Sequence, residues 1–233
     1  MWPIETSPLG RILVPPFLPP GMAVFSTTRD DPGTIVANEL TDFIRNRFGP
    51  ETSLTTCRQV HSATVVRARQ EEQRRECDSC DALWSDELHV ALGVKVADCL
   101  PIALIDPIHH VIANIHSGWR GAVQRITSET IDAVTRATPF DPAAAFAYLG
   151  PSIRACCFEV GEEVASQFDE RFVDRSRTRP HVDLVAYTMD ILRSRGFTRI
   201  YDSETCTRCE GSIFHSYRKD AGSGGRNLVV VAQ

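Results

Sequence analysis

Apolar and polar residues follow two rhythms along this chain, and the switches between them mark out its elements. Alternating or continuous apolar runs rich in β-branched residues occur at Ala23–Thr27, Thr55–His61, Thr64–Arg69, Ala82–Ser85, Val90–Val96, Ile102–Ile105, Val111–His116 and Ala145–Leu149, and each reads as a strand. After Ser117-Gly118-Trp119-Arg120-Gly121 the period lengthens to the helical one, and Val123, Ile126, Thr130 and Val134 fall on a single face. Three further helices are predicted. Thr34–Phe48 is stopped by Gly49-Pro50, and Glu159–Phe168 carries Val160, Val164 and Phe168 four apart. Asp183–Arg195 starts on an N-cap aspartate and closes at Gly196. Ile200, Phe214 and Leu228–Val231 mark closing strands. The prolines between Pro15 and Gly21 predict an extended lead-in over residues 1–22, and Gln70–Glu76, almost wholly polar, a solvated loop. Strands and helices interleave without a linker, repeat or heptad seam. The pattern predicts one α/β-type domain over residues 1–233, with mixed β-sheets flanked by helices.

Composition narrows the class. A chain of 233 residues, 42% apolar and 24% charged, can bury a sizeable core without disulfide staples. A net charge of −5 and a pI near 5.8 argue against a nucleic-acid partner, which calls for a basic face, while leaving room for a small anion held by a few arginines. No apolar run approaches the roughly 20 residues needed to cross a bilayer, so no membrane partner is expected. The opening Met-Trp-Pro-Ile-Glu-Thr lacks a basic n-region and an apolar h-region, which predicts a cytoplasmic protein. Eight cysteines in such a compartment are buried thiols, metal ligands or nucleophiles rather than a disulfide framework.

The chemistry-bearing residues sit where predicted strands meet turns. Gln59-Val60-His61, Ala97-Asp98-Cys99 and Asn114-Ile115-His116 each end a strand, with His61 and Gln59 expected on one face and His116 and Asn114 on another. Pro101, which cannot donate a ladder hydrogen bond, suggests a local break beside Cys99. Two imidazoles and a thiolate form a ligand set suited to zinc, and three protein ligands leave a fourth tetrahedral position open. Against this stands the plainer role of a hydrogen-bonded histidine at a strand end. Asp98 is a candidate general acid/base, or a carboxylate that merely holds the turn. Arg120, between two glycines ahead of a helix, could bind phosphate or carboxylate, or pair with a surface acid. Arg29, Arg218 and Arg226 occupy comparable places. Cys77-Asp-Ser-Cys80 and Cys206-Thr-Arg-Cys209 are both C-x-x-C pairs, too far apart for a compact zinc ribbon, while Cys57, Cys156 and Cys157 read as buried thiols.

Taken together, Phe25-Ser-Thr-Thr-Arg29, Gln59-Val-His61, Asp81-Ala-Leu83, Ala97-Asp-Cys-Leu-Pro101, His116-Ser-Gly-Trp-Arg-Gly121, Gly150-Pro-Ser-Ile153, Phe158-Glu-Val-Gly161, Val182-Asp-Leu184, Cys206-Thr207 and Ser216-Tyr-Arg-Lys-Asp220 resemble the bacterial YfiH-like family. Its members carry the label of a multicopper polyphenol oxidase or laccase domain, and are described as zinc-dependent purine nucleoside phosphorylases with adenosine deaminase activity and as peptidoglycan-editing factors. The resemblance implies a single α+β domain, a metal triad of His61, Cys99 and His116, and substrate or phosphate contacts from Arg29, Arg120 and Gln59. It further implies nucleoside and phosphate as small-molecule partners; the sequence carries no signal for an oligomeric state. The stretch after Arg29 is shorter than the family's, Phe158 replaces a common tyrosine, and Cys77, Cys80 and Cys209 fall outside the pattern. The ordinary zinc-deaminase signature H-x-E…P-C-x-x-C is absent. Seven histidines, two of them adjacent, are a poor supply for multicopper chemistry, so copper is disfavoured against Zn2+. The alternative is an amide hydrolase acting on peptidoglycan precursors through zinc-activated water or Cys99 as nucleophile.

Overall fold

The computed structural model describes residues 1–30, 37–70, 75–222 and 224–233. Its strands form two large sheets. The seven-stranded sheet runs β1 (Ile4–Ser7), β2 (Gly10–Leu13), β3 (Ala23–Thr27), β15 (Asn227–Ala232), β8 (Val90–Val96), β4 (Ser53–Cys57) and β6 (Arg75–Cys77). The six-stranded sheet runs β14 (Arg199–Asp202), β11 (Phe146–Leu149), β9 (Leu100–Asp106), β10 (Val111–Ser117), β7 (Ala82–Ser85) and β5 (Val65–Arg67). Both are mixed: β4 lies parallel to β6 and β8, β5 to β7, and β11 to β14, the other pairs being antiparallel. A two-stranded ribbon pairs β12 (Val173–Asp174) with β13 (His181–Val182).

Side-chain alternation sorts these sheets into layers. Leu83, Ala103, Ile105, Ile112 and Tyr148 of the six-stranded sheet pack against Leu13, Val24, Val90, Leu92 and Val231 of the seven-stranded one. The opposite face of the six-stranded sheet, with Leu104, Val111, Ala113 and Ile115, takes α3 (Ile126–Ala137) and α5 (Leu184–Ser194) through Ile131, Val134, Val185 and Leu192. The outer face of the seven-stranded sheet takes α1 (Ala37–Phe48) through Leu40 and Ile44. The result is a four-layer helix–sheet–sheet–helix arrangement, the mixed α/β class the pattern predicts. Buried strands on both faces explain the near-continuous apolar runs. No helix among the described residues is long and apolar enough to cross a membrane.

Several expectations are corrected. Residues 1–22 are not one extended lead-in: β1 and β2 form a hairpin in register Ser7↔Gly10, with Gly10 at φ +83° and Ser7 Oγ donating to its carbonyl. Only the proline-rich part stays irregular. Of the predicted helix Thr34–Phe48, residues 34–36 lie outside the described residues. Within the expected loop 70–76, Arg75–Cys77 is a strand because β4 offers it a parallel edge, and 71–74 lie outside the described residues. The helix after Gly121 is two, α2 (Trp119–Val123) and α3, since Arg125 turns left-handed at φ +67°. Glu159–Phe168 yields only α4 (Glu162–Ala165), because Glu159 bridges to His181 instead. Phe214 is buried in a bend rather than a strand. Pro101 does not break β9 but sits second in it, the break falling one turn earlier.

Candidate metal centre

Three chain segments cross from one large sheet to the other, β4 to β5, β6 to β7 and β8 to β9, each leaving the C-terminal end of one of three strands that run parallel. His61 lies on the first crossing, Asp81 ends the second and Cys99 ends the third. The end of β10, where His116 stands, completes the group. Strand β4 stops at Cys57, so Gln59 and His61 lie beyond it and do not share a strand face, contrary to expectation. The physical reason is Asp81. Its fully buried carboxylate accepts hydrogen bonds from the N–H groups of Val60, His61 and Ser62 at 3.2, 2.9 and 2.7 Å, replacing a neighbouring strand. His61 itself adopts φ +61°, which aims the loop's side chains off any sheet face.

The same carboxylate accepts a hydrogen bond from His116 Nδ1 at 2.8 Å, leaving Nε2 to face the cluster. The donor atoms of His61, Cys99 and His116 all lie within 4.8 Å of one another, with Cys99 Sγ 3.9 Å from His61 Nε2. A tetrahedral ion with usual nitrogen and sulfur bond lengths spans donors about 3.5 Å apart. The set therefore fits one metal ion with a small contraction. Burial pushes the Cys99 thiol up, but the hydrogen bonds and charges of His116 and His61 outweigh it and bring it down to about 6. Burial opposes protonation of His116, while Asp81 and Cys99 raise it to about 9. Burial likewise disfavours the charged form of Asp81, yet its bonds from His116 and Ser62 hold it below the usual carboxylate range. The site thus stabilises a thiolate beside a positive charge. Gly118 makes room for it: a Cβ there would stand 2.8 Å from Cys99 Sγ and 3.1 Å from His61 Cδ2.

The cluster opens onto a cavity of about 1050 Å³. Trp119, Ile153, Phe158 and Tyr217 give it apolar and aromatic walls. Six basic side chains line it; Arg58 pairs with Asp78, Lys95 with Glu76 and Arg179 with Glu159. Arg120, Arg218 and Arg226 have no carboxylate partner among the described residues. Arg120 lies over the Trp119 ring at 4.4 Å, and Arg218 donates both terminal nitrogens to the Glu159 carbonyl at 3.0 Å. Helix α2, with five residues, is too short for the sustained dipole the glycine-flanked motif suggested.

The other predicted residues are held by contacts of their own. Asp98, at φ +82°, accepts from Thr207 Oγ1 and from the Arg218 N–H, both at 2.7 Å. Both carboxylate oxygens are thus engaged, and Asp98 ties its turn to Thr207 and Arg218. Gln59 lines the cavity with its amide bonded to the N–H and carbonyl of Lys95. Arg29 does not line the cavity; it donates to the Phe214 carbonyl and pairs with Asp220, bracing the loop that carries Tyr217 and Arg218. Asp81 escaped the sequence reading of the site. It figured only within the motif Asp81-Ala-Leu83, as an acid ahead of an apolar strand, and nothing local says that such an acid is buried. Cys57 and Cys80 are buried neighbours at 3.2 Å, whereas Cys156 and Cys209 are exposed, against expectation for the former.

This is a mixed α/β protein with a His-Cys-His cluster, able to hold a metal ion, at the floor of a cationic cavity. Residues 20–233 match the family described as multi-copper polyphenol oxidoreductase laccase, and the chain belongs to it. It is 34% identical over 193 residues to an adenosine deaminase, RL5, from an unknown prokaryotic organism, covering 75% of this chain and 72% of that one. It is 27% identical over 225 residues to the purine nucleoside phosphorylase YlmD of Geobacillus stearothermophilus, covering 86% and 82%. Among solved structures, the hypothetical protein YfiH of Bacillus licheniformis superposes with a TM-score of 0.83 at 20% identity, over 99% of this chain and 98% of that one. YlmD of G. stearothermophilus superposes at 0.78 and 25% identity, over 92% of each chain. RL5 and YlmD are named for reactions of nucleosides, and the family resemblance read from the motifs is borne out.

Proposed function

We propose that this chain is a zinc-dependent purine nucleoside phosphorylase that cleaves adenosine or inosine with phosphate. The observation that carries the reading is the His61–Cys99–His116 cluster beneath a cavity whose wall holds three arginines without carboxylate partners among the described residues. Phosphorolysis forms a bond from a phosphate oxygen to ribose C1′ and breaks the C1′–N bond, whose electron pair leaves with the purine. Arg120, Arg218 and Arg226 draw the phosphate in and orient it through charge-assisted, forked hydrogen bonds. Phe158, Trp119 and Tyr217 offer flat apolar surface for the base. Asp98 ties the Cys99 turn to the Arg218 segment, keeping anion contacts and cluster in register. Asp81 fixes the tautomer and direction of His116. Zinc, when bound, supplies a Lewis acid with an open fourth position. Two imidazoles and one thiolate suit a single ion; none of the other five histidines falls in a metal-competent cluster among the described residues, which speaks against a multicopper centre.

A second reading, adenosine deamination, is favoured by the relative named for it. Both are tested by chromatography of the products formed from adenosine by zinc-loaded protein, with and without phosphate. Adenine and ribose 1-phosphate, formed only with phosphate, are expected. Inosine formed regardless of phosphate would establish the second reading instead. No turnover by folded, zinc-loaded protein would sink both and point to amide hydrolysis on peptidoglycan precursors.

A further inference from the structure

Away from the His-Cys-His cluster, four cysteines from two distant stretches of sequence meet at the surface. Cys156 and Cys157 come from the turn after β11, and Cys206 and Cys209 from the segment after β14. Their sulfur atoms all lie within 4.8 Å of one another. Cys209 Sγ is 3.9 Å from Cys156 Sγ and 3.5 Å from Cys157 Sγ, and none of the four is in a disulfide. Four sulfurs around a tetrahedral zinc at about 2.3 Å stand about 3.8 Å from each other, so the observed spacing brackets that of a filled site. We propose that Cys156, Cys157, Cys206 and Cys209 form a second metal site, an all-thiolate tetrahedral site for zinc that staples together the two segments walling one side of the cavity.

Local backbone supports this assignment. Adjacent cysteines on a strand point to opposite faces, but Cys156 and Cys157 lie in a turn closed by the Cys157 N–H donating to the Arg154 carbonyl at 2.8 Å, which lets both reach one point. Around Cys206, the N–H groups of Cys209, Arg154 and Arg208 point at the sulfur. Such donors stabilise a thiolate in a C-x-x-C knuckle. The Arg208 side chain hydrogen-bonds Cys157, and Arg177 donates to the Cys156 carbonyl at 3.1 Å, placing positive charge where four thiolates and a divalent ion leave an excess of negative charge. All-sulfur tetrahedral sets select zinc or iron, and isolated sites of this kind are structural because no coordination position stays open. The segments joined here carry Ile153 and Phe158 on one side, and Tyr217 and Arg218 on the other, into the cavity. The C-x-x-C pair Cys206/Cys209 therefore finds its partners in Cys156/Cys157, not in Cys77/Cys80.

The test separates this site from the His-Cys-His cluster. Full-length protein, its Cys99→Ser variant, the double variant Cys156→Ser/Cys209→Ser and the triple combination are purified under reducing conditions, and metal is counted by mass spectrometry. The double variant replaces the two exposed cysteines, and circular dichroism checks that each variant is folded. The double change is expected to remove one zinc per chain, whether made in the wild type or in Cys99→Ser. Cobalt-loaded Cys99→Ser should show intense sulfur-to-cobalt charge transfer that the triple variant lacks. Folded Cys99→Ser holding no metal would overturn the proposal, as would iron in place of zinc. So would intact mass under non-reducing conditions showing these four cysteines lost as disulfides. Whether the wild type holds a further ion at His61, Cys99 and His116 is read separately, from the difference between wild type and Cys99→Ser.

Discussion

Asp81 organises the candidate metal centre although it is not one of the three donor residues. One carboxylate takes three backbone N–H groups of the His61 loop, the Ser62 hydroxyl and the His116 ring. Asparagine keeps the shape but loses the charge and presents an N–H2 where donors already arrive. Asp81→Asn is expected to keep the fold and to lower metal affinity by about 10–100-fold, the range found when a partner behind a metal-bound histidine is removed. A chelator-competition titration measures this directly, and unchanged affinity would show that the His61 loop is held by other means. The three candidate ligands were legible in the sequence because His and Cys residues near predicted strand ends are rare and chemically marked. The role of Asp81 was not, since it comes from burial against partners 20 and 35 residues away in sequence, the His61 loop and the His116 ring, rather than from any local pattern.

At the scale of elements, the turn between β9 and β10 shows how a buried carboxylate terminates two strands. Asp106 is fully buried and accepts from the N–H groups of Ile108, His109 and Asp141 at 2.9, 3.2 and 3.0 Å and from His109 Nδ1 at 2.7 Å. Burial alone would raise its pKa, yet these donors hold it below the ordinary value. A carboxyl depressed in the folded state adds stability above its unfolded pKa, and loses it as pH falls through that value toward the folded one. Asp106→Asn is therefore expected to cost about 1–3 kcal/mol at pH 7 and to flatten the loss of stability below about pH 5. Urea unfolding across pH checks both, and an unchanged acid limb would place the acid sensitivity elsewhere. Elements with strong local signals, such as α5 with Asp183 accepting from the Ala186 N–H at 2.8 Å, stand where the sequence places them. The N-terminal hairpin and β6 do not: β1 and β2 are short strands that pair with each other and, through β2, with β3, while β6 forms only on the edge that β4 supplies.

For the molecule as a whole, the decisive contact is between the sheets. Asn114 of β10 is fully buried and donates to the Leu92 carbonyl of β8 at 2.8 Å and the Val229 carbonyl of β15 at 2.9 Å, tying the six-stranded sheet to the seven-stranded one two residues before His116. Asn114→Ala removes both bonds from a buried interface and is expected to destabilise the fold by about 1–3 kcal/mol, read as a lower urea midpoint. No change in that midpoint would mean that apolar packing alone sets the spacing of the sheets. The sequence by itself determined the mixed α/β class, most inner strands, the family and the three candidate ligands, because period, turn residues and ligand types are local properties of the chain. Tertiary structure alone decided that three sheet-to-sheet crossings converge on the candidate site, that Arg29 braces a loop while Arg120, Arg218 and Arg226 line the cavity, and that Cys206 and Cys209 meet Cys156 and Cys157. Those outcomes depend on which strands become neighbours, and neighbourhood between sheets is set by burial of whole faces rather than by any pattern within one segment.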